Sequence, residues 1–84
     1  MSQIKDFLEF PVDYTYKVIG ENTDRFLEDT LNIFREKETM SHEVKTSKNG
    51  NFKSISIYVR LENSEELESF YGKIKELKGL KYHL

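Results

Sequence analysis

Cysteine is absent from the 84 residues, which excludes a disulfide framework, a thiolate zinc site and a cysteine nucleophile. That lack fits a reducing compartment, and a cytoplasmic protein is expected. Long apolar runs are missing too. No stretch approaches the roughly 18 residues that a membrane-spanning helix needs, so no membrane association is expected. The opening Met1-Ser2-Gln3-Ile4-Lys5-Asp6 holds no uninterrupted apolar segment of the kind a secretory signal carries. Proline occurs once, at Pro11, and the four glycines lie apart, so nothing reads as a linker. Histidine occurs only at His42 and His83, and neither has a partner at metal-ligand spacing. No metal and no cofactor is expected. Gly20 is a lone glycine with Glu21 and Asp24 beside it, which would repel an anion; it reads as a turn residue of unusual φ rather than a phosphate loop. The carboxylates sit mostly at helix starts and on wet helix faces. The serines lack a base to activate them, and the chain is expected not to be an enzyme.

What is present describes one small folded domain. Hydrophobic residues make up 37%, charged residues 33% and aromatics 13%, with a formal net charge of −2. A chain this short builds one core, and its Phe and Tyr side chains can fill it. Residues 1–9 read as an extension bearing about two turns of helix. There Ile4, Phe7 and Leu8 recur at helical spacing, Ser2 stands as a cap, and Pro11 ends the helix. Residues 10–84 read as the domain itself.

Within the domain, Tyr14 to Ile19 is rich in β-branched and aromatic residues and predicts a first strand. Tyr14, Tyr16 and Val18 share one face, while Thr15, Lys17 and Ile19 share the other. Asn22 or Thr23 then caps a helix, with Asp24 at its positive end. Phe26, Leu27, Thr30, Leu31 and Phe34 form its apolar stripe. Val44 to Ser47 predicts a short second strand. Asn49-Gly50 follows, a pair suited to a type I′ turn. The clearest alternation in the chain comes next: Ile55, Ile57, Val59 and Leu61 face one way, and Ser54, Ser56, Tyr58 and Arg60 the other. Such a strand belongs to a sheet covered on one side only. Asn63-Ser64-Glu65-Glu66 caps a second helix, whose stripe is Leu67, Phe70, Tyr71, Ile74 and Leu77. Gly79 fits a left-handed helix terminus, and Leu80 to Leu84 reads as a last strand.

The order β-α-β-β-α-β, with right-handed crossovers and a hairpin between the middle strands, defines an α+β ferredoxin-like βαββαβ sandwich. Its sheet is antiparallel with four strands, and both helices lie on one face. The opposite face is left to solvent. Thr15 and Lys17 join Ser54, Ser56, Tyr58 and Arg60 there, with Lys45 from the second strand, in a hydroxyl-rich basic patch. The candidate binding residues are therefore Lys17, Ser54, Ser56, Tyr58 and Arg60, with Ser47 near the hairpin. Lys17 and Arg60 would supply charge, the serines directed hydrogen bonds, and Tyr58 a flat contact, which suits a carboxylate, a phosphate or an acidic peptide. Sheet edges at the second and last strands offer self-pairing as a homodimer, whereas Lys45 and Lys48 act against it; the sequence leaves both open.

Glu9-Phe10-Pro11, Tyr16-Lys17-Val18 ending at Gly20, and the run from Ser47 through Asn49-Gly50-Asn51-Phe52 to Ile57 resemble the YbeD-like family of small uncharacterised bacterial proteins. The resemblance runs from about Phe10 to Leu84. It implies the same ferredoxin-like fold and a likeness to ACT-type regulatory domains, which bind small effectors, often amino acids, at dimer interfaces. Those domains commonly place a glycine after the first strand at the ligand site, and Gly20 occupies that place. The turn departs from the family pattern by reading KNGN rather than KGN, and no established active site comes with the resemblance. The expected function is a non-enzymatic binding or regulatory module that recognises a small anionic metabolite or a protein partner through the open sheet face or a dimer interface. The alternative is single-stranded nucleic acid bound through the same face. Against it stand the negative charge and Tyr58 as the one aromatic placed there.

Overall fold

The computed structural model describes residues 8–38 and 40–84. The elements are β1 (Val12–Glu21), α1 (Asp24–Ile33), β2 (Ser41–Thr46), β3 (Phe52–Leu61), α2 (Ser64–Lys75) and β4 (Leu80–His83). They form one sheet in the order β2-β3-β1-β4, with every neighbouring pair antiparallel. This is the ferredoxin-like sandwich that the alternation predicts. The helix expected around Ile4 and Phe7 lies outside the described residues; Leu8 and Phe10, which are described, pack against the core.

Each helix starts where a side chain can take up a free amide. Thr23 Oγ1 accepts from the Phe26 amide at 3.1 Å, and Asn63 Oδ1 from the Glu66 amide at 2.9 Å. The apolar stripes then meet the inward residues of the two central strands. Tyr16, Val18, Ile55, Ile57, Val59 and Leu61 from the sheet enclose Phe26, Phe34, Leu67, Phe70 and Ile74 from the helical side. Tyr16 stands at the middle, its ring centroid 5.2 Å from Phe34 and 4.8 Å from Tyr71. Its hydroxyl donates to the Leu67 carbonyl at 3.0 Å, which satisfies the polar tip that burial would otherwise strand. Burial first, and the neighbouring Tyr71 and Tyr14 hydroxyls next, push its ionisation well above the ordinary tyrosine range.

Three local expectations are corrected. The hairpin is not a type I′ turn: among the described residues only Gly50 (φ 75°) and Gly79 (φ 84°) have positive φ, so Asn49 stays on the negative side. The chain spends more residues on the reversal. The Gly50 amide donates to the Ser47 carbonyl and the Ser47 amide to the Phe52 carbonyl, both at 2.9 Å. One left-handed residue suffices, and the Asn49 side chain holds the Asn51 amide at 3.1 Å. The second strand also begins earlier than predicted, at Ser41 rather than Val44.

Gly20, finally, is no turn residue. It lies inside β1, where the register opposite β4 shifts between Ile19 and Gly20. A Cβ there would come within 2.3 Å of Phe26 Cζ and 2.6 Å of the Gly79 carbonyl oxygen. Its role is close approach of a buried ring and a neighbouring backbone.

Candidate functional site

Paired residues in antiparallel strands share a face, so the register lays out the open side row by row. The row nearest the hairpin pairs Phe52 with Glu21. The next crosses the whole sheet, Lys45-Ser54-Ile19-Tyr82. Beyond it come Glu43-Ser56-Lys17, with Leu84 closing the row through reciprocal backbone hydrogen bonds to Lys17 of 2.8 and 3.3 Å. Ser41-Tyr58-Thr15 follows, then Arg60 opposite Asp13. Among the described residues no helix covers these rows, and Tyr82 and Leu84 are 57% and 66% exposed.

The hairpin end of this face is hollowed. A depression of about 550 Å³ is lined by Lys17, Ile19, Lys45, Ser54, Phe52, Tyr82 and Lys81, with Thr46 and Ser47 at its rim. Its floor is apolar, from Ile19, Phe52 and Tyr82, and its charges are all positive. Lys81 lies with its ammonium 5.4 Å from the Phe52 ring centre, a cation held on an aromatic face. Among the described residues, Lys17 and Lys45 make no ion pair. Glu21 belongs to the first row by register, but its carboxylate packs toward Gly79 and lines a different surface with Lys78 and Arg25. Glu43 is the nearest acid in the grid, two residues from Lys45 on the same face of β2 and across Ser56 from Lys17.

The sequence-predicted residues divide between two places. Lys17, Ser54 and Ser47 line the depression, and Ser56 pairs with Lys17. The Ser47 hydroxyl is already engaged in the turn, with Asn49 Oδ1 at 2.9 Å and the Phe52 amide at 3.0 Å. Tyr58 and Arg60 lie toward the far end of the sheet, in a second hollow of about 330 Å³ with Asp13, Thr15 and Ser41. There Arg60 Nη1 meets Asp13 Oδ1 at 3.3 Å, so its charge is partly answered within the chain. The structure thus does not bring Arg60 together with Lys17.

Sequence reasoning missed Phe52, Lys81 and Tyr82. Phe52 has the parity of Ser54 and Ser56 and was recoverable by extending β3 two residues. Lys81 and Tyr82 were not, because their placement depends on the irregular pairing of β4 with β1.

Neither histidine lines this depression. The histidines are apart: His42 pairs with Ile57 on exposed β2, and His83 rests against Tyr71 at 5.4 Å between ring centres. Among the described residues no three His, Asp or Glu side chains are grouped to hold a metal ion, and no helix is long and apolar enough to cross a membrane. On the helical side, Glu66 accepts from the Glu62 amide at 3.0 Å and from Lys37 Nζ at 2.9 Å. Those two contacts, the amide first, hold its carboxyl below the usual range against an opposing effect of burial.

The architecture and the bare, hollowed sheet define a small α+β domain of the ferredoxin-like, ACT-like class. Among solved structures it is similar to the solution structure of protein HP0495 from Helicobacter pylori, with a TM-score of 0.73, 26% identity, and coverage of 92% of this chain and 85% of that one. The ACT domain of a GTP pyrophosphokinase from Chlorobium tepidum shares the fold at a TM-score of 0.65 and 9% identity, covering 87% of this chain and 97% of that one. The chain belongs to the family described as "Protein of unknown function (DUF493)", which matches residues 5–84. Curated relatives include a UPF0250 protein of Idiomarina loihiensis, 28% identical over 85 residues, covering 99% of this chain and 97% of that protein. A UPF0250 protein of Vibrio parahaemolyticus is 33% identical over 78 residues, covering 90% and 85%. The resemblance to YbeD-like proteins read from the FP, YKV and hairpin segments is borne out.

Proposed function

We propose that this chain is a cytosolic, non-catalytic binding module of regulatory type, whose open sheet face recognises an anionic group on a small metabolite or on a protein partner. The observation that carries this reading is the clustering of Lys17, Lys45 and Lys81 around one depression with no carboxylate among its lining residues, on a chain whose net charge is −2. Like charges gathered against the overall balance create a local positive field that draws and holds an anion. Ser54 and Ser56 add hydrogen-bonding hydroxyls in the adjoining rows. The ACT-like fold supports a binding role by analogy alone. A homodimer fits the same reading, since β2 is exposed along its whole length and offers its outer backbone edge to a second copy.

Native mass spectrometry of the chain as purified tests this, run beside Lys17→Ala/Lys45→Ala. The expected result is a stoichiometric bound mass on the parent chain that the double variant lacks while keeping the parent's melting temperature. A bound mass retained by the folded variant contradicts the reading.

Single-stranded nucleic acid is the second reading, favoured by three aromatics, Phe52, Tyr58 and Tyr82, along the same face. Labelled single-stranded RNA titrated at two salt concentrations decides it, because phosphate contacts weaken steeply with salt.

A further inference from the structure

We infer that the depression at the hairpin end takes a ligand of one chemical class: a small molecule joining a flat apolar body to a single anionic head, such as an aromatic carboxylate. This deepens the reading above and rests on it. The floor and the rim ask for different things. Ile19 and Tyr82 are register partners in the row that crosses all the strands, and Phe52 lies one row closer to the hairpin. Together they form a continuous apolar patch in which Tyr82 keeps 57% of its surface in water. A compact inorganic anion would leave that patch wet, so it gains nothing from it; a flat ring laid over Ile19 and against Tyr82 would cover it.

The cations stand around the floor, not on it. Lys45 borders the row on the β2 side, Lys17 sits on the next row of β1, and Lys81 is drawn onto the Phe52 face at 5.4 Å. With strands about 4.8 Å apart, Lys45 and Lys17 backbones are separated by roughly 12 Å, a gap that two flexible ammonium groups close around one head. A polyanion is less well served, because Glu43 stands in the row of Lys17, two residues from Lys45 on the same face of β2, and repels any second negative group extending that way. The volume of about 550 Å³ falls within the roughly 300–1,000 Å³ typical of small-molecule sites.

The test uses anilinonaphthalene sulfonate as the probe, its neutral counterpart phenylnaphthylamine, and inorganic phosphate, each titrated into isotope-labelled full-length chain and followed by amide NMR. The sulfonate is expected to saturate, moving the amides of Ile19, Ser54, Lys81 and Tyr82. The neutral ring compound should bind at least tenfold more weakly, and phosphate alone should give no saturable shift. Lys17→Gln/Lys45→Gln should weaken the sulfonate by roughly tenfold or more, and Tyr82→Ala should weaken it too, while thermal unfolding stays unchanged.

Equal affinity for the neutral and anionic rings, or saturation by phosphate alone, overturns the inference. In the phosphate case the broader reading of an anion-recognising face survives. Shifts confined to the helical side, or no saturable binding of the sulfonate, overturn the inference, while the broader reading answers to the native mass spectrometry above.

Discussion

Gly20→Ala tests whether this glycine serves packing or ligand access. The added methyl would lie 2.3 Å from Phe26 Cζ and 2.6 Å from the Gly79 carbonyl oxygen. Neither neighbour yields readily: the Phe26 ring is 1% exposed, and the Gly79 carbonyl accepts the Glu21 amide at 3.0 Å. Overpacking of a well-filled core costs typically 1–3 kcal/mol, and with a ring and a backbone both obstructed the expected loss is about 3 kcal/mol. A domain of this size has roughly 5–10 kcal/mol to lose, so the variant should fold but melt about 12–24 °C lower. Urea unfolding with an unchanged m-value is the assay. Phe26→Leu should relieve part of the clash, so Gly20→Ala introduced into that background should cost at least about 1 kcal/mol less. A loss under about 0.5 kcal/mol in the parent background, within the range of a neutral surface change, would refute the packing argument and return Gly20 to the role of a ligand-facing glycine.

The other glycines separate space from backbone conformation. Gly72 lies inside α2, and a methyl added there would meet nothing within 4 Å, so Gly72→Ala should stabilise by about 0.5–1 kcal/mol; Gly50→Ala, equally unobstructed but at φ +75°, should destabilise by about 1 kcal/mol, both read by urea unfolding. Tyr16→Phe removes the hydroxyl's bond to the Leu67 carbonyl, which keeps its place in the helical ladder of α2, and should cost about 0.5–1.5 kcal/mol by the same measurement. Glu66→Gln should cost up to about 1 kcal/mol near neutrality. Because the folded carboxyl ionises below its ordinary range, that contribution is present above the unfolded pKa and fades as pH falls through the folded one, so parent and variant should converge in acid denaturation curves.

How far the sequence reaches is clearest strand by strand. β3 was legible because Ile55, Ile57, Val59 and Leu61 alternate without a break, and a period of two admits one assignment of faces. The helices were legible from stripes and caps, although which of Asn22 and Thr23 caps α1 was settled only by geometry. Lys53 was not legible: it continues the inward parity of Ile55, is 8% exposed, and reaches the Thr23 carbonyl at 3.4 Å. A charged residue on the core side is readable only when the partner for its head is known. The candidate site was half legible for a related reason. Lys17, Ser54 and Lys45 follow from parity within their own strands, whereas Lys81 and Tyr82 reach the same hollow through a bulged pairing that no local pattern encodes. Arg60 shares their face but not their place, since distance along β3 separates what parity unites.

Amine-reactive labelling read by mass spectrometry tests the central claim most directly. In the free chain Lys17, Lys45 and Lys81 should react quickly while Lys53 resists. Saturating anilinonaphthalene sulfonate should then shield those three and leave Lys48, Lys73 and Lys75 as reactive as before. Shielding spread evenly over all lysines, or none at Lys17 and Lys45, would contradict it.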